Sequence, residues 1–311
     1  MLPLPRAIIR TLCFADVLDM ALTPAELHRT LGIDLGASAA LAEVYFAFWG
    51  DRELREKIVF KNGFVALAGR EELIAERLLR LAIAEEKWSA AQRALRRLRH
   101  LPWLRLAAVC NTVAMGLPRA ESDIDIFLAA APGRLWALRL LSHLALALGS
   151  LARRGGQTRN RICLSFSVTR GAFDLSRVAK QPADPYLTFW LSSIVPALDC
   201  RGTYEELLAA NRWSAELLPN CSARALAPFY AVQNSRLAVF LEFIFSGRIG
   251  RNLEIFARRL QRQRILANPE SRVHEAGTDV VVTDEMLKFH EQDRRAEIRD
   301  AFLLRAVHYG V

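Results

Sequence analysis

LAAVCNTVAMGLPRAESDIDIFL, residues 106–128, decides how the rest of the chain is read. Leu106 to Val109 is a short apolar run of the kind that forms a buried strand, and Cys110, Asn111 and Thr112 make a small-residue turn after it. A few residues of helical character follow, and Gly116 and Pro118 then break the chain. The stretch Glu121 to Leu128 ends as a second strand with two carboxylates set into an apolar run. Side chains alternate along a strand, so Asp123 and Asp125 share one face while Ile124 and Ile126 point to the other. The rise per residue puts the two carboxylates roughly 7 Å apart along that face, close enough to converge on a hard divalent cation such as Mg²⁺. Without a cation the pair repels, and a half-buried strand has little reason to hold it. A lone Asp-x-Asp is common; here it lies in an apolar strand, downstream of a turn whose helix N-terminus can face phosphate oxygens.

The stretch resembles the signature of the nucleotidyltransferase fold, the polymerase beta-like superfamily, in which a strand and a Gly-Ser turn precede a short helix and a second strand bears Asp-x-Asp. The resemblance extends to a family of bacterial nucleotidyltransferase-domain proteins through FADVLDMALTPAEL (14–27), GFVALAGREELI (63–74), KWSAAQ (87–92), ESDIDIFL (121–128), PGRLWALR (132–139) and NRWSAELLPN (211–220). It implies a metal-dependent enzyme that moves an NMP from an NTP to an acceptor hydroxyl. Asp123 and Asp125 would be its catalytic and metal-binding residues, Asn111, Thr112 and Ser122 its nucleotide contacts, and Mg²⁺ or Mn²⁺ its cofactor. The acceptor hydroxyl (of protein, RNA or a small molecule) would attack the α-phosphorus, with pyrophosphate leaving.

Two departures stand out. Asn111-Thr112 replaces Gly-Ser; Asn tolerates an unusual backbone conformation but adds a side chain, and Thr112 keeps the hydroxyl. The superfamily's third carboxylate lies on a later strand, and the best candidate, Ile162 to Thr169 (ICLSFSVT), contains no acid. Asp174 and Glu121 are the nearest substitutes. The alternative function is therefore a degenerate transferase core that binds nucleotide or nucleic acid without turnover, and a third reading is a purely structural interaction module.

The flanking sequence organises around this core. Residues 1–69 read as a winged-helix-like unit: helices from Arg6 to Leu18, from Pro24 to Leu31 and from Ala37 to Trp49, then a hairpin over Lys57 to Ala68 turning at Asn62-Gly63. Its third helix carries Glu43 and no Lys or Arg, which favours packing or a partner over DNA. Residues 70–100 have helical periodicity, with Arg93, Arg96, Arg97 and Arg99 complementing the helix dipole near its end or facing the pocket downstream. The core, 101–200, alternates strand and helix, with helices expected on one face of its sheet and a basic loop at Arg153, Arg154, Arg159 and Arg161. Residues 201–311 read as helical: Thr203 to Leu218, an apolar buried helix from Pro228 to Phe245, and a basic amphipathic helix from Arg248 to Arg264, solvated or in contact with nucleic acid. His290, Glu291 and Asp293 read as an ordinary surface helix or a metal site. The fold class expected is thus α+β.

Net charge +9 and a pI near 9.7 favour polyanionic partners, nucleoside triphosphates and nucleic acid alike. Five scattered cysteines form no metal-ligand spacing, and their odd number fits reduced thiols in a cytoplasm. The opening residues read as a helix rather than a signal peptide, and residues 135–152, interrupted by Arg139 and His143, as a core helix rather than a membrane span. No G-x-S-x-G, H-E-x-x-H, P-loop or paired-cysteine motif competes with the Asp pair.

Overall fold

In the computed structural model, which describes residues 3–34, 36–153, 156–225 and 230–311, the two apolar runs around Asn111 become neighbouring strands in the middle of a mixed sheet. The chain begins with helices α1 (Leu4–Val17), α2 (Pro24–Arg29), α3 (Leu41–Gly50) and α4 (Arg52–Lys57), then the antiparallel hairpin β1 (Ile58–Lys61) and β2 (Phe64–Leu67). Asn62 and Gly63 make the hairpin turn, both with positive φ, as the sequence predicts. Thr23 and Glu26 form a reciprocal capping box at the start of α2. The long α5 (Glu72–Leu98) leads to β3 (Leu104–Val109), the one-turn α6 (Asn111–Ala114), β4 (Ile124–Ala130), α7 (Leu135–Leu148), β5 (Ile162–Thr169), α8 (Pro185–Ser193) and β6 (Val195–Asp199). Helices α9 (Thr203–Ala210), α10 (Arg212–Leu217), α11 (Arg236–Ile244) and α12 (Gly247–Leu266) follow, then β7 (Val280–Val282), β8 (Met286–Phe289) and α13 (Arg295–His308).

The six-stranded sheet has the order β6-β3-β4-β5-β8-β7. Only β4 and β5 run parallel, connected through α7; every other pair is antiparallel. Alternation sorts the side chains into two cores. Leu106, Ala108, Phe127, Ala129, Phe166 and Val168 face one way, onto α8 and, beyond it, α1 and α13. Ala107, Val109, Ile124, Ile126, Leu128 and Leu164 face the other, onto α5, α7 and α12. Helices therefore cover both faces, not the single face expected. The second layer comes from the two ends of the chain, which alternation within the core segment does not reveal. Phe14 of α1 meets Phe189 of α8 and Phe302 of α13 edge-on, so the N-terminal helices share one core with the sheet.

Other readings are corrected. Residues 201–311 are not wholly helical, because β7 and β8 add two antiparallel strands to β5. Val195–Asp199 is a strand that Pro196 disguises: it pairs beside β3 at the sheet edge, where a missing N–H is tolerated. The Thr203 to Leu218 helix breaks at Asn211, whose side chain is turned inward to bond Leu175 N, Phe173 O and Leu207 O. The apolar helix expected from Pro228 begins instead at Arg236 within the described residues (Pro228 itself lies outside them), and only Ala238 of it is buried. Among the described residues no helix is long and apolar enough to cross a membrane.

The returning C-terminus is held by buried charge. Arg295 reaches Asp184 at 2.6 Å and Asp293 at 2.8 Å, and Lys288 reaches Asp293 at 3.1 Å, with all four side chains nearly inaccessible to water. The two cations hold the Asp293 carboxyl far below the usual carboxylate range despite its burial. Breaking such a pair leaves an uncompensated buried charge. Arg295→Met should therefore cost about 3 kcal/mol or more in urea denaturation. The double variant Arg295→Met, Asp293→Asn should cost less than the single one.

Candidate functional site

Phe127 and Ala129 of β4 lie under α8, where Trp190 packs edge-on against Phe127. Two residues back on the same face stands Asp125, and two further back, just ahead of the strand, Asp123. The helical cover ends here. Both carboxylates line a cavity of about 630 Å³ between the sheet, α8 and residues 288–295.

The turn between β3 and α6 is built for this position. Asn111 takes φ +54°, the left-handed conformation that glycine adopts freely and that asparagine tolerates better than most residues. Its Oδ1 accepts a hydrogen bond from Trp190 Nε1 at 2.8 Å, and its side chain lies near enough to the Asp125 carboxyl to favour the ionised form. The indole thus orients the amide beside the acid. On the other side, Cys163 of β5 pairs with Asp125 in register, and its thiol also favours the ionised carboxylate. A bulge in β5 then lets Ser165 and Phe166 both line the cavity.

The acid pair is electrostatically tense. Burial, then repulsion from Asp123, raises the Asp125 carboxyl to about 6 from 3.8; its hydrogen bonds and Arg153 only partly oppose this. Arg153 supplies the nearest cation, 3.1 Å from Asp123 and half-exposed at the mouth. The loop carrying Asp123 is anchored from beneath. Fully buried Lys87 donates to Ala120 O at 3.1 Å and Ser122 O at 2.6 Å.

Of the residues expected in the site, Asp123, Asp125 and Asn111 line the cavity; Thr112 and Ser122 do not. Thr112 is exposed on α6, and Ser122 Oγ turns back to Arg119 O. Neither substitute for the third carboxylate lines the cavity: Asp174 bonds Ser176 beyond β5, and Glu121 is exposed. Nor do Arg93, Arg96, Arg97 or Arg99. In the basic loop Arg153 contributes, Arg159 pairs with Glu86, and Arg154 lies outside the described residues.

What the sequence reading missed is the opposite wall. His290, Glu291 and Asp293 are not on a surface helix; they follow β8 and, with Lys288 of that strand, close the cavity. VVVTDEMLKF did carry a signal, two apolar runs flanking a polar turn, but both are short. His290 packs edge-on against Phe166, and burial with nearby Lys288 lowers its imidazole to about 4, so it is neutral at pH 7. Burial likewise lowers Lys288 to about 8. Both Glu291 oxygens are engaged, by Ser271 Oγ and Arg272 N.

Among the described residues no group of three or more His, Cys, Asp or Glu side chains is arranged to hold a metal ion. Two carboxylates remain, and Mg²⁺ is commonly held by one or two carboxylates together with substrate phosphates. The donor set fits that mode and not a closed protein cage. No protein-family model matches the chain, and comparison with curated proteins and with solved structures finds no match.

A carboxyl whose pKa is higher in the folded than in the unfolded chain favours folding while protonated. Here stability falls as pH rises from about 4 through about 6. Asp125→Asn removes that penalty. The variant should exceed the parent in stability by on the order of 1–2 kcal/mol at pH 7, with the gap closing by pH 4, in urea titrations at both pH values.

Proposed function

We propose that the chain is a Mg²⁺-dependent nucleotidyltransferase that moves an NMP from an NTP to an acceptor hydroxyl. The observation that carries this reading is the pair Asp123 and Asp125 lining one cavity, with Asn111 in the left-handed conformation at the turn before them. A cavity of about 630 Å³ suits a nucleotide. The mixed sheet with its parallel β4–β5 pair supports a nucleotidyltransferase-type core, and the four helices with a hairpin support a winged-helix-like N-terminal unit.

Asp123 and Asp125 would hold the metal, which when bound neutralises phosphate charge and polarises the reacting phosphoryl group. The chain's own residues position and exclude water. Trp190 fixes Asn111 beside Asp125, and Arg153 at the mouth is free to exchange its carboxylate for a phosphate. A proton must leave the attacking hydroxyl. His290 is the cavity's neutral nitrogen base, and with a pKa near 4 it is as basic as the carboxylate expected from the superfamily.

Alongside it stands a non-catalytic nucleotide-binding reading, favoured by one observation: Cys163 and Ser165 stand beside Asp125 where a third acid is expected. Burial pushes the Cys163 thiol to about 12, so it offers no thiolate. The exposed face of α3 carries Tyr45, Phe46 and Trp49 instead of cations, which supports a partner surface over DNA for that helix.

Labelled NTPs with Mg²⁺, the protein itself and mixed RNA as acceptors should give pyrophosphate release. Asp123→Ala should abolish it, and His290→Gln should slow it about 10²-fold without weakening NTP binding. NTP binding with no release under any of these conditions would select the non-catalytic reading.

A further inference from the structure

A second cavity, about 390 Å³, lies between α7, α12 and the residues after β8. Its distinguishing feature is positive charge without a counter-ion. Arg139 donates through Nη1 to Gln261 Oε1 at 2.7 Å, and its guanidinium lies 4.8 Å from the centre of the Phe289 ring. Its Nε is shielded from solvent with no hydrogen-bond partner, and among the described residues no carboxylate comes within ion-pair distance of it. His143, one helical turn along α7, has its Nε2 buried and unpartnered in the same way. Arg264 of α12 lines the cavity from its exposed side, again with no ion pair among the described residues. Burial lowers Arg139 to about 10, so it stays a cation, and lowers His143 to about 4, so at pH 7 it is a neutral imidazole able to donate one N–H. The one acid lining the cavity, Glu291, accepts from two neutral donors, Ser271 Oγ and the Arg272 backbone N–H.

We propose that this cavity binds a small phosphomonoester, with its phosphate held by Arg139, His143 and Arg264. A guanidinium fork satisfies two oxygens of an anion, so one arginine would suffice for a carboxylate. Three donors brought from two helices match the greater oxygen count of a phosphate. The remaining lining, Leu140, Ile265 and Phe289, is apolar, and the volume leaves room for a carbon skeleton beyond the phosphate itself. The site is independent of the nucleotidyl-transfer reading, although Phe289 and Glu291 line both cavities.

The test is a thermal-shift and calorimetric titration of the full chain at constant ionic strength. Its arms are inorganic phosphate, ribose 5-phosphate and sodium chloride. Phosphate should stabilise saturably and chloride should not, with ribose 5-phosphate at least tenfold tighter than inorganic phosphate. Arg264→Ala, at an exposed position, should keep the melting temperature in chloride and weaken phosphate binding at least tenfold. Arg139→Met should raise the melting temperature in chloride, because it removes an uncompensated buried charge, and should lose the phosphate response. Asp125→Asn should leave that response intact. No saturable response to either phosphate compound, or a response unchanged by Arg264→Ala, would overturn the proposal. A response lost in Asp125→Asn and kept in Arg264→Ala would do the same, since the anion would then lie in the other cavity.

Discussion

The constraint on which the site depends is a carboxylate on the covered face of a central strand. Strand alternation puts Asp125 in line with Phe127 and Ala129, beneath the layer that buries them. An acid at that position is tolerated only where the cover stops, so the site's location and the edge of the second helical layer are one feature. Asn111 and Cys163 favour the ionised carboxylate but do not compensate its charge, and repulsion from Asp123 adds to the deficit. A structure organised purely for stability would place Asn or Ser there. Retained acid, half-buried and lacking a full counter-charge, is the arrangement expected where an external cation completes the balance.

That edge is set from far away in sequence. The β7–β8 hairpin attaches to β5, and α13 packs on α1 and α8. Lys288 and Arg295 lock the intervening turn through Asp293 and Asp184. Arg305 pairs with Asp16, while Arg10 reaches the Val311 carbonyl, so the two ends of the chain are tied together. The cavity wall formed by residues 288–295 therefore depends on contacts with the first helix and with α8. Loosening the C-terminal helix would open the cavity before it disturbed the strands bearing the acids.

Much of this was legible in the chain. The left-handed turn could be anticipated at Asn111, because its position calls for a residue tolerant of positive φ, and the structure gives +54°. The hairpin at Asn62-Gly63 and the strand Ile162–Thr169 also follow from local pattern. Readings failed where tertiary contact outweighed local signal. Val280–Val282 and Met286–Phe289 are too short to stand out from a helical background. Val195–Asp199 contains a proline that argues against a strand until its edge position is known. Thr112 and Ser122 sit at the right spacing but turn away, a matter of one side-chain direction that spacing alone does not carry. Trp190 and Lys87, which hold Asn111 and the Asp123 loop, act across separations that no window of sequence spans.

The net charge of +9 takes on a different meaning once the partners are known. Arg10, Arg77, Arg80 and Arg295 are all buried and all paired, with Asp34, Glu26, Glu76 and Asp184 respectively. Arg77 ties α5 to α2 and Arg295 ties α13 to the start of α8, while Arg10 holds the turn at Asp34 and Arg80 pairs within α5. Arg105 joins β3 to α11 through Glu242 in the same way. Much of the basic content is therefore internal, and composition alone overstates the charge available to a polyanion. Arg139 departs from that pattern, shielded yet supplied with only a neutral amide and an aromatic ring. Arg224 also lacks an ion pair among the described residues, but it donates to the Ala114 carbonyl; beside Arg139 the unpartnered His143 nitrogen stands in the same cavity, and together they mark where a counter-charge can come from outside.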